Sequence, residues 1–374
     1  MNAPTGRRVR VAVVFGGRSS EHAISCVTAG SVLQALDRDT YDVVPIGIAT
    51  DGRWVLEADD PQRHRITGPG QLPSVDGERA AVALAQTAEG TGLVVSEAGA
   101  PPRALGDVDV VFPLLHGPWG EDGTIQGLFE MTDVRYVGSG VLASALCMDK
   151  VFMKIALQAA GLPVMPGTTT TAHEWAETPV AVHERCEALG YPLFVKPARG
   201  GSSIGIAKAH GRDELAAAIE GALAHDPKVL IEVSAEGARE IECGVLESLD
   251  GGLDVSVPAE IKITGEHEFY DFEAKYLPEE ATQLDVPAHL DDDTTRRMQD
   301  LAAAAFRAAG CEGLARVDFF LMPDGSLVIN ELNTMPGFTP LSMFPQMWAA
   351  TGVPYPALVD RLLTLALKRD TGLR

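Results

Sequence analysis

The chain has 374 residues, 46% hydrophobic and 22% charged, enough for two or three globular domains. Its 52 acidic and 30 basic residues give a formal net charge of −22, which argues against nucleic acid and anionic membrane as partners. No run reaches the ~18 apolar residues of a membrane helix, and no secretory h-region follows Arg7, Arg8 and Arg10. The cysteines Cys26, Cys147, Cys186, Cys243 and Cys311 lack paired spacing, so they read as buried free thiols of a cytoplasmic protein.

Residues 9–15 form a continuous apolar run, as in a strand of a parallel sheet. The run ends in Gly16-Gly-Arg-Ser-Ser-Glu21-His22, and a helix is predicted over 21–36. A second strand at 43–48 completes a β-loop-α-β unit that opens an α/β domain. Residues 57–106 are rich in Pro, Gly, Thr and Glu with weak periodicity, and read as an elaborated connection without chemistry. A buried strand at 108–113 leads into His116-Gly-Pro-Trp-Gly-Glu-Asp-Gly-Thr124, where another helix begins. One helix is expected within 138–161, and a Pro-rich boundary follows at 161–166. Beyond it come a strand at 192–197, a Gly/Ser loop at 199–205 and an alanine-rich helix capped by Asp213. Strands are predicted at 229–233, 240–246 and 255–263, then a helix at 291–309. A hairpin of strands 316–321 and 327–333 and closing helices from 345 complete the chain.

The hairpin carries the strongest chemistry. Strand side chains alternate faces, so Arg316 and Asp318 share one face, as do Glu331 and Asn333. Folded together they can offer two carboxylates and an amide oxygen to Mg²⁺, with a guanidinium for a nearby oxyanion. A hairpin with a solvated polar face fits the same pattern. Lys196 ends the 192–197 strand just before Gly200-Gly-Ser-Ser203, whose backbone N–H groups and hydroxyls suit phosphate oxygens. A surface turn beside a solvated lysine is the alternative.

Lys150 and Lys275, taken alone, read as solvated. Glu232 and Glu240 flank a hinge between strands and could meet a ribose, or be loop charges. Glu21 and His116 follow strands at the carboxyl edge of an open sheet, where ligands bind. A carboxylate there could hold an ammonium group, or it could stabilise the helix N-terminus; a structural histidine is the alternative at His116. Three pattern matches are decoys. Gly138-Ser-Gly-Val-Leu-Ala143 lacks the acidic residue of a dinucleotide site. Gly201-Ser-Ser-Ile-Gly205 continues into a strand, whereas a nucleophile elbow requires a helix, and Asp318-Phe-Phe has no kinase catalytic loop beside it.

The order of these segments resembles the D-alanine–D-alanine ligase family of the ATP-grasp superfamily. The resemblance runs from about residue 9 to the C-terminus and rests chiefly on Tyr270-Asp-Phe-Glu-Ala-Lys-Tyr276 and Glu331-Leu-Asn-Thr-Met-Pro-Gly337. It implies an α/β and α+β protein: a Rossmann-like N-terminal domain (1–145), a central lid domain (146–236) and a catalytic domain (237–374). It further implies ATP, two Mg²⁺ (or Mn²⁺), K⁺ as a candidate activator, and a homodimer.

The matching metal ligands are Asp318, Glu331 and Asn333, and the matching phosphate lysines are Lys150, Lys196 and Lys275. Ser202 and Ser203 match the phosphate loop, Glu232, Ser234 and Ala235 the adenine hinge, and Glu240 the ribose ligand. By the same resemblance Glu21 holds the first D-alanine ammonium, with His116 beside it, and Arg316 and the Gly337 N–H steady the tetrahedral oxyanion. Ser342 and Met343 match the second-substrate site, and Ser202 and Tyr276 a hydrogen-bonded link to Glu21.

The chain departs from the family pattern at Trp119, Gly200, Met343 and the hinge Val233-Ser234-Ala235. The implied reaction joins two D-alanine molecules through an acylphosphate. The competing readings are a D-alanine–D-lactate ligase, disfavoured by Tyr276, and a nucleotide-binding protein without catalysis, disfavoured by the intact Arg316, Asp318, Glu331 and Asn333.

Overall fold

A computed structural model of the chain describes residues 7–66, 68, 71–87, 90–201, 204–263 and 282–372. Three sheets follow one another along the sequence. The first is built on the predicted β-loop-α-β unit. Strand β1 (Val9–Gly16) pairs in parallel with β2 (Tyr41–Ile48) and, further on, with β7 (Val110–Pro113). Residues 11–15 of β1 are fully buried, because sheet neighbours cover both edges and side chains both faces. Helix α1 (His22–Ala35) covers one face.

The 57–106 connection is more ordered than its composition suggests. Strands β3 (Trp54–Leu56), β4 (Ala81–Thr87), β5 (Gly90–Ser96) and β6 (Arg103–Asp107) extend the sheet antiparallel, giving the order β6-β5-β4-β3-β2-β1-β7. Their short lengths and small residues hide the period-2 signal, yet Val82, Leu93 and Val95 are buried in the sheet's second core.

Helix α2 (Thr124–Met131) follows the His116–Thr124 loop as predicted. The single helix expected within 138–161 is two, α3 (Val141–Met148) and α4 (Lys150–Ala159). Asp149 divides them by capping α4, accepting hydrogen bonds from the Val151 and Phe152 N–H groups, both at 3.2 Å. Lys150 therefore opens a helix.

The second sheet has the order β10-β9-β11-β8, from β8 (Gly167–Thr171), β9 (Leu193–Pro197), β10 (Ala207–Ala209) and β11 (Lys228–Val233). Helices α5 (Ala172–Glu177), α6 (Pro179–Leu189) and α7 (Arg212–Leu223) accompany it. The cap of α7 is Gly211, and Asp213 lies in the first turn without a side-chain cap bond, so the predicted cap is displaced by two residues. Its charge still favours the helix N-terminus there.

The third sheet runs β15-β14-β12-β16-β17, with β13 (Leu253–Val255) beside β12 (Arg239–Glu247). The strand predicted at 255–263 is thus split into β13 and β14 (Ala259–Ile263), and β15 (Thr282–Asp285) pairs with β14. The hairpin strands are β16 (Leu314–Leu321) and β17 (Leu327–Asn333). Helix α8 (Asp292–Ala308), capped by Asp291, packs on this sheet, and α9 (Met343–Ala350) and α10 (Tyr355–Lys368) close the chain. Met153 and Leu157 of α4 lie in the same core as Ile241, Val317 and Ile329, so α4 is rooted on the third sheet.

All five cysteines are buried and free, as expected. Among the described residues no helix is long and apolar enough to cross a membrane.

Candidate active site

The hairpin delivers the predicted polar patch. Arg316 faces Asn333 and Asp318 faces Glu331 across β16 and β17, so the four side chains share one surface. On the other flank of β16, Glu242 of β12 is the partner of Asp318. Arg316 grips Asp318 in a fork, Nε to Oδ1 and Nη2 to Oδ2, both at 2.7 Å. Its Nε also lies 3.2 Å from Glu242 Oε2. Burial opposes the guanidinium charge, but Asp318 and Glu242 outweigh it and hold the pKa well above the arginine range. Asn333 Nδ2 donates to Asp318 Oδ2 at 2.9 Å, which leaves the amide oxygen available.

Asp318, Glu331 and Asn333 form a set of hard oxygen donors that fits Mg²⁺ with phosphate oxygens and waters completing its shell. Among the described residues no group of three or more His, Cys, Asp or Glu is arranged around a metal position. This set has two carboxylates and an amide, and so leaves coordination positions for a phosphorylated substrate.

The second sheet faces this patch. Lys150, at the start of α4, donates from Nζ to the Gly200 carbonyl at 2.8 Å and lies 3.2 Å from Glu331 Oε2. One lysine thereby spans the Gly-rich loop and the hairpin, and it is mostly buried rather than solvated. Lys196 on β9 places Nζ 2.7 Å from Glu232 Oε2 and 3.4 Å from Asn330 Oδ1 on β17. Burial opposes its charge, and Glu232 more than restores it.

Glu232 is 2% exposed and sits between two lysines, with Lys154 Nζ at 2.6 Å from Oε1. It is not a loop charge. Burial would raise its pKa, but Lys196 and Lys154 prevail and its carboxyl lies below the ordinary range. Ser234 is buried and Ala235 half-buried in the strand-to-strand hinge, and Glu240 lies on β12, partly buried.

On the first sheet, Glu21 is the N-cap residue of α1, yet its side chain makes no capping bond. Glycines crowd its carboxylate instead. A Cβ at Gly117 would lie 2.6 Å from Glu21 Oε2, and one at Gly201 would lie 3.2 Å from it. The Gly/Ser loop of the second sheet thus reaches the first-sheet carboxylate. Ser202, Ser203, Lys275 and Tyr276 lie outside the described residues.

His116 is buried; its Nδ1 is 3.1 Å from the Met335 carbonyl, to which it donates, and Nε2 is 3.4 Å from Thr28 Oγ1. Burial lowers its pKa, which keeps the ring neutral with its proton on Nδ1. Gly337 sits beside Ser342, since a Cβ there would lie 3.2 Å from Ser342 Oγ. Ser342 Oγ accepts from the Thr339 N–H at 3.1 Å, and Met343 is buried at the start of α9.

Two participants were not singled out from sequence. Glu121 accepts from the Gly117 N–H at 2.6 Å and from the Met335 N–H at 3.3 Å. His116 and Glu121 therefore hold the carbonyl and the amide of the same residue, two positions before Gly337. Burial, with Glu21 nearby, pushes the Glu121 carboxyl up to about 8. Lys154 is the other. The Glu121–Met335 and Lys154–Glu232 contacts are long-range, and no local spacing announces them. Trp119 has φ +67°, in the left-handed region that favours glycine, and its ring lies under the Arg18 guanidinium at 5.1 Å.

Comparisons with known proteins agree with this arrangement. The family described as "D-ala D-ala ligase N-terminus" matches residues 10–139, and "D-ala D-ala ligase C-terminus" matches 156–364. A D-alanine–D-alanine ligase of Kineococcus radiotolerans is 58% identical, covering 98% of both chains. One from Frankia casuarinae is 53% identical over 100% of both. Among solved structures, the VanG D-Ala:D-Ser ligase from Enterococcus faecalis superposes with a TM-score of 0.83 at 35% identity, covering 96% of this chain and 100% of that one. The D-alanine–D-alanine ligase from Coxiella burnetii gives 0.79 at 32% identity, covering 97% of this chain and 95% of that one. With the ATP-grasp arrangement of its sheets and full-length relatives of this kind, the chain belongs to the D-alanine–D-alanine ligase family.

Proposed function

We propose that this enzyme joins two D-alanine molecules at the expense of ATP, for peptidoglycan precursor synthesis in the cytoplasm. The observation that carries the reading is the bridge made by Lys150, from the Gly200 carbonyl to the Glu331 carboxylate. It brings the phosphate loop to the metal-binding hairpin, as phosphoryl transfer to a carboxylate requires.

Glu21 holds the ammonium of the first D-alanine. The substrate's carboxylate oxygen attacks the γ-phosphorus, and ADP departs with the bond it breaks. Lys150, Lys196 and Lys275 stabilise the charge on the transferred group and the leaving group. Asp318, Glu331 and Asn333 would hold two Mg²⁺, which when bound neutralise phosphate charge. The amine of the second D-alanine, seated by Ser342 and Met343, then attacks the acyl carbon. Arg316 and the Gly337 N–H steady the oxyanion, and phosphate leaves as the acyl C–O bond breaks, carrying off the proton the amine gives up. By the family resemblance Ser202 and Tyr276 link to Glu21 and keep water from the acylphosphate, and Ser203 belongs to the phosphate loop. Glu232, Ser234 and Ala235 receive the adenine and Glu240 the ribose.

Domains 1–145, 146–236 and 237–374 are supported by the three successive sheets. A homodimer is supported by exposed Leu128, Met131 and Leu142 on the adjacent helices α2 and α3. K⁺ activation follows from the family resemblance alone.

The test is phosphate release with D-alanine, L-alanine, D-lactate and D-serine compared side by side. D-serine is included because one similar structure is named a D-Ala:D-Ser ligase. Release that requires D-alanine and yields the D-alanyl-D-alanine dipeptide supports the reading. ATP binding without turnover would favour a non-catalytic nucleotide-binding protein.

A further inference from the structure

Lys154 has no part in the reaction as set out above, yet it is among the most deeply placed charges in the protein. Its side chain is 7% exposed and lies 2.6 Å from Glu232, whose side chain is 2% exposed. A buried lysine is rare without a partner, and an unneutralised buried carboxylate is costly. The geometry assigns Lys154 as the positioning residue of the nucleotide-base site: it holds Glu232 Oε1 while Lys196 holds Oε2, so that Lys196 can turn to the phosphates without leaving the carboxylate unpaired. This rests on the placement of Glu232 at the adenine hinge.

Three observations support the assignment. First, Lys150 and Lys154 are four residues apart on α4 and so project from one face. Lys150 meets Glu331 and the Gly200 carbonyl, while Lys154 meets Glu232. One helix face thus serves both ends of the cleft. Second, α4 is anchored by Met153 and Leu157 in the core of the third sheet, whereas Glu232 lies on β11 of the second. The pair therefore fixes the hinge strand against a rigid support.

Third, Glu232 has a cation on each oxygen, Lys154 at Oε1 and Lys196 at Oε2. Lys196 also reaches Asn330 on β17, so it faces the cleft. Were Lys196 the sole counter-ion, its movement toward a phosphate would strand a buried carboxylate. With Lys154 in place, Glu232 stays ionised and can accept the exocyclic amine of adenine. A guanine, which carries a carbonyl at that position, cannot donate to it.

The experiment compares initial rates with ATP and GTP, each varied at saturating D-alanine, and then with D-alanine varied at saturating ATP. Lys154→Met is expected to raise KM for ATP by about tenfold, the scale of a lost charged contact. It should narrow the preference for ATP over GTP and leave KM for D-alanine nearly unchanged. Lys154→Arg, which keeps the charge, should recover part of the ATP preference. Lys154→Met combined with Glu232→Gln should cost less than the two single changes summed, because both act through one contact.

A uniform loss of kcat with both nucleotides and no change in preference would overturn the assignment, leaving Lys154 only structural. If Lys154→Met does not fold, Lys154→Gln, which keeps much of the length and loses the charge, decides: an ATP preference and KM equal to the parent enzyme's would equally overturn it. Glu232→Gln separates the two levels. If Glu232→Gln alone leaves the ATP preference intact, Glu232 is not at the base, and the hinge reading fails first. If Glu232→Gln erodes the preference and Lys154→Met does not, only the role of Lys154 fails.

Discussion

Asp318 stands directly opposite Glu331 across β16 and β17, and the strand register slips immediately afterwards, between Asp318 and Phe319. A bulge at that point re-aims the side chains beside it. The carboxylates are thus held as a pair at the last regular position before the irregularity. Glu331→Gln keeps the shape and removes one charge. It should lower kcat by about 10²-fold or more, the scale of a lost electrostatic group at a transferring phosphoryl, with KM for D-alanine little changed. ADP release at saturating Mg²⁺ measures this.

The Arg316 fork on Asp318 makes lysine a poor substitute. A lysine offers a point charge where two parallel N–H bonds of 2.7 Å now hold both carboxylate oxygens. Arg316→Lys should slow turnover by about 10²-fold, with little loss of ATP affinity. Single-turnover assays beside equilibrium ATP binding separate the two quantities.

Gly117 has φ +73°, and a Cβ there would fall 2.6 Å from Glu21 Oε2. Gly117→Ala is therefore strained in backbone and also displaces the carboxylate. Binding of the first D-alanine should weaken by about tenfold or more, the scale of a disturbed charged contact, while KM for ATP stays close to that of the parent enzyme. Initial rates resolved into first-site and second-site constants check it.

Glu121 makes a pH prediction. Its carboxyl is raised from 4.5 to about 8 in the folded protein, first by burial and then by Glu21. Between those values the folded state holds more protons than the unfolded one. Stability due to this group is therefore present in full below the unfolded pKa and falls as pH rises toward 8. Glu121→Gln cannot titrate. Between pH 5.5 and 8, within the ~4.5–8 window of the shift, its melting temperature should decline less than that of the parent chain.

The legible part of this protein is what lies close in sequence. The hairpin could be foreseen because alternation puts Arg316 with Asp318 and Glu331 with Asn333, and a Pro-Asp-Gly turn joins the strands. The β-loop-α-β opening was equally readable from the apolar run at 11–15. The antiparallel extension through β4, β5 and β6 was not, because strands dominated by Ala, Gly and Thr lack a clear apolar alternation. Asp149 was hidden inside an apparently continuous helix, since a capping aspartate looks like any other polar position until the chain bends. Glu121 and Lys154 were illegible for another reason. Their partners Met335 and Glu232 lie far along the chain, and only folding brings them together.

Asp149 does more than start α4. Its carboxylate also pairs with Lys228 on β11, and the next residue's amide donates to the Ala198 carbonyl at 2.9 Å. The first turn of α4 is thereby riveted to the second sheet while its remaining turns stay embedded in the third. A small tilt of the second sheet is therefore transmitted along one rigid rod, from Lys150 beside the Gly200 carbonyl and Glu331 to Lys154 beside Glu232, so those two contacts shift together.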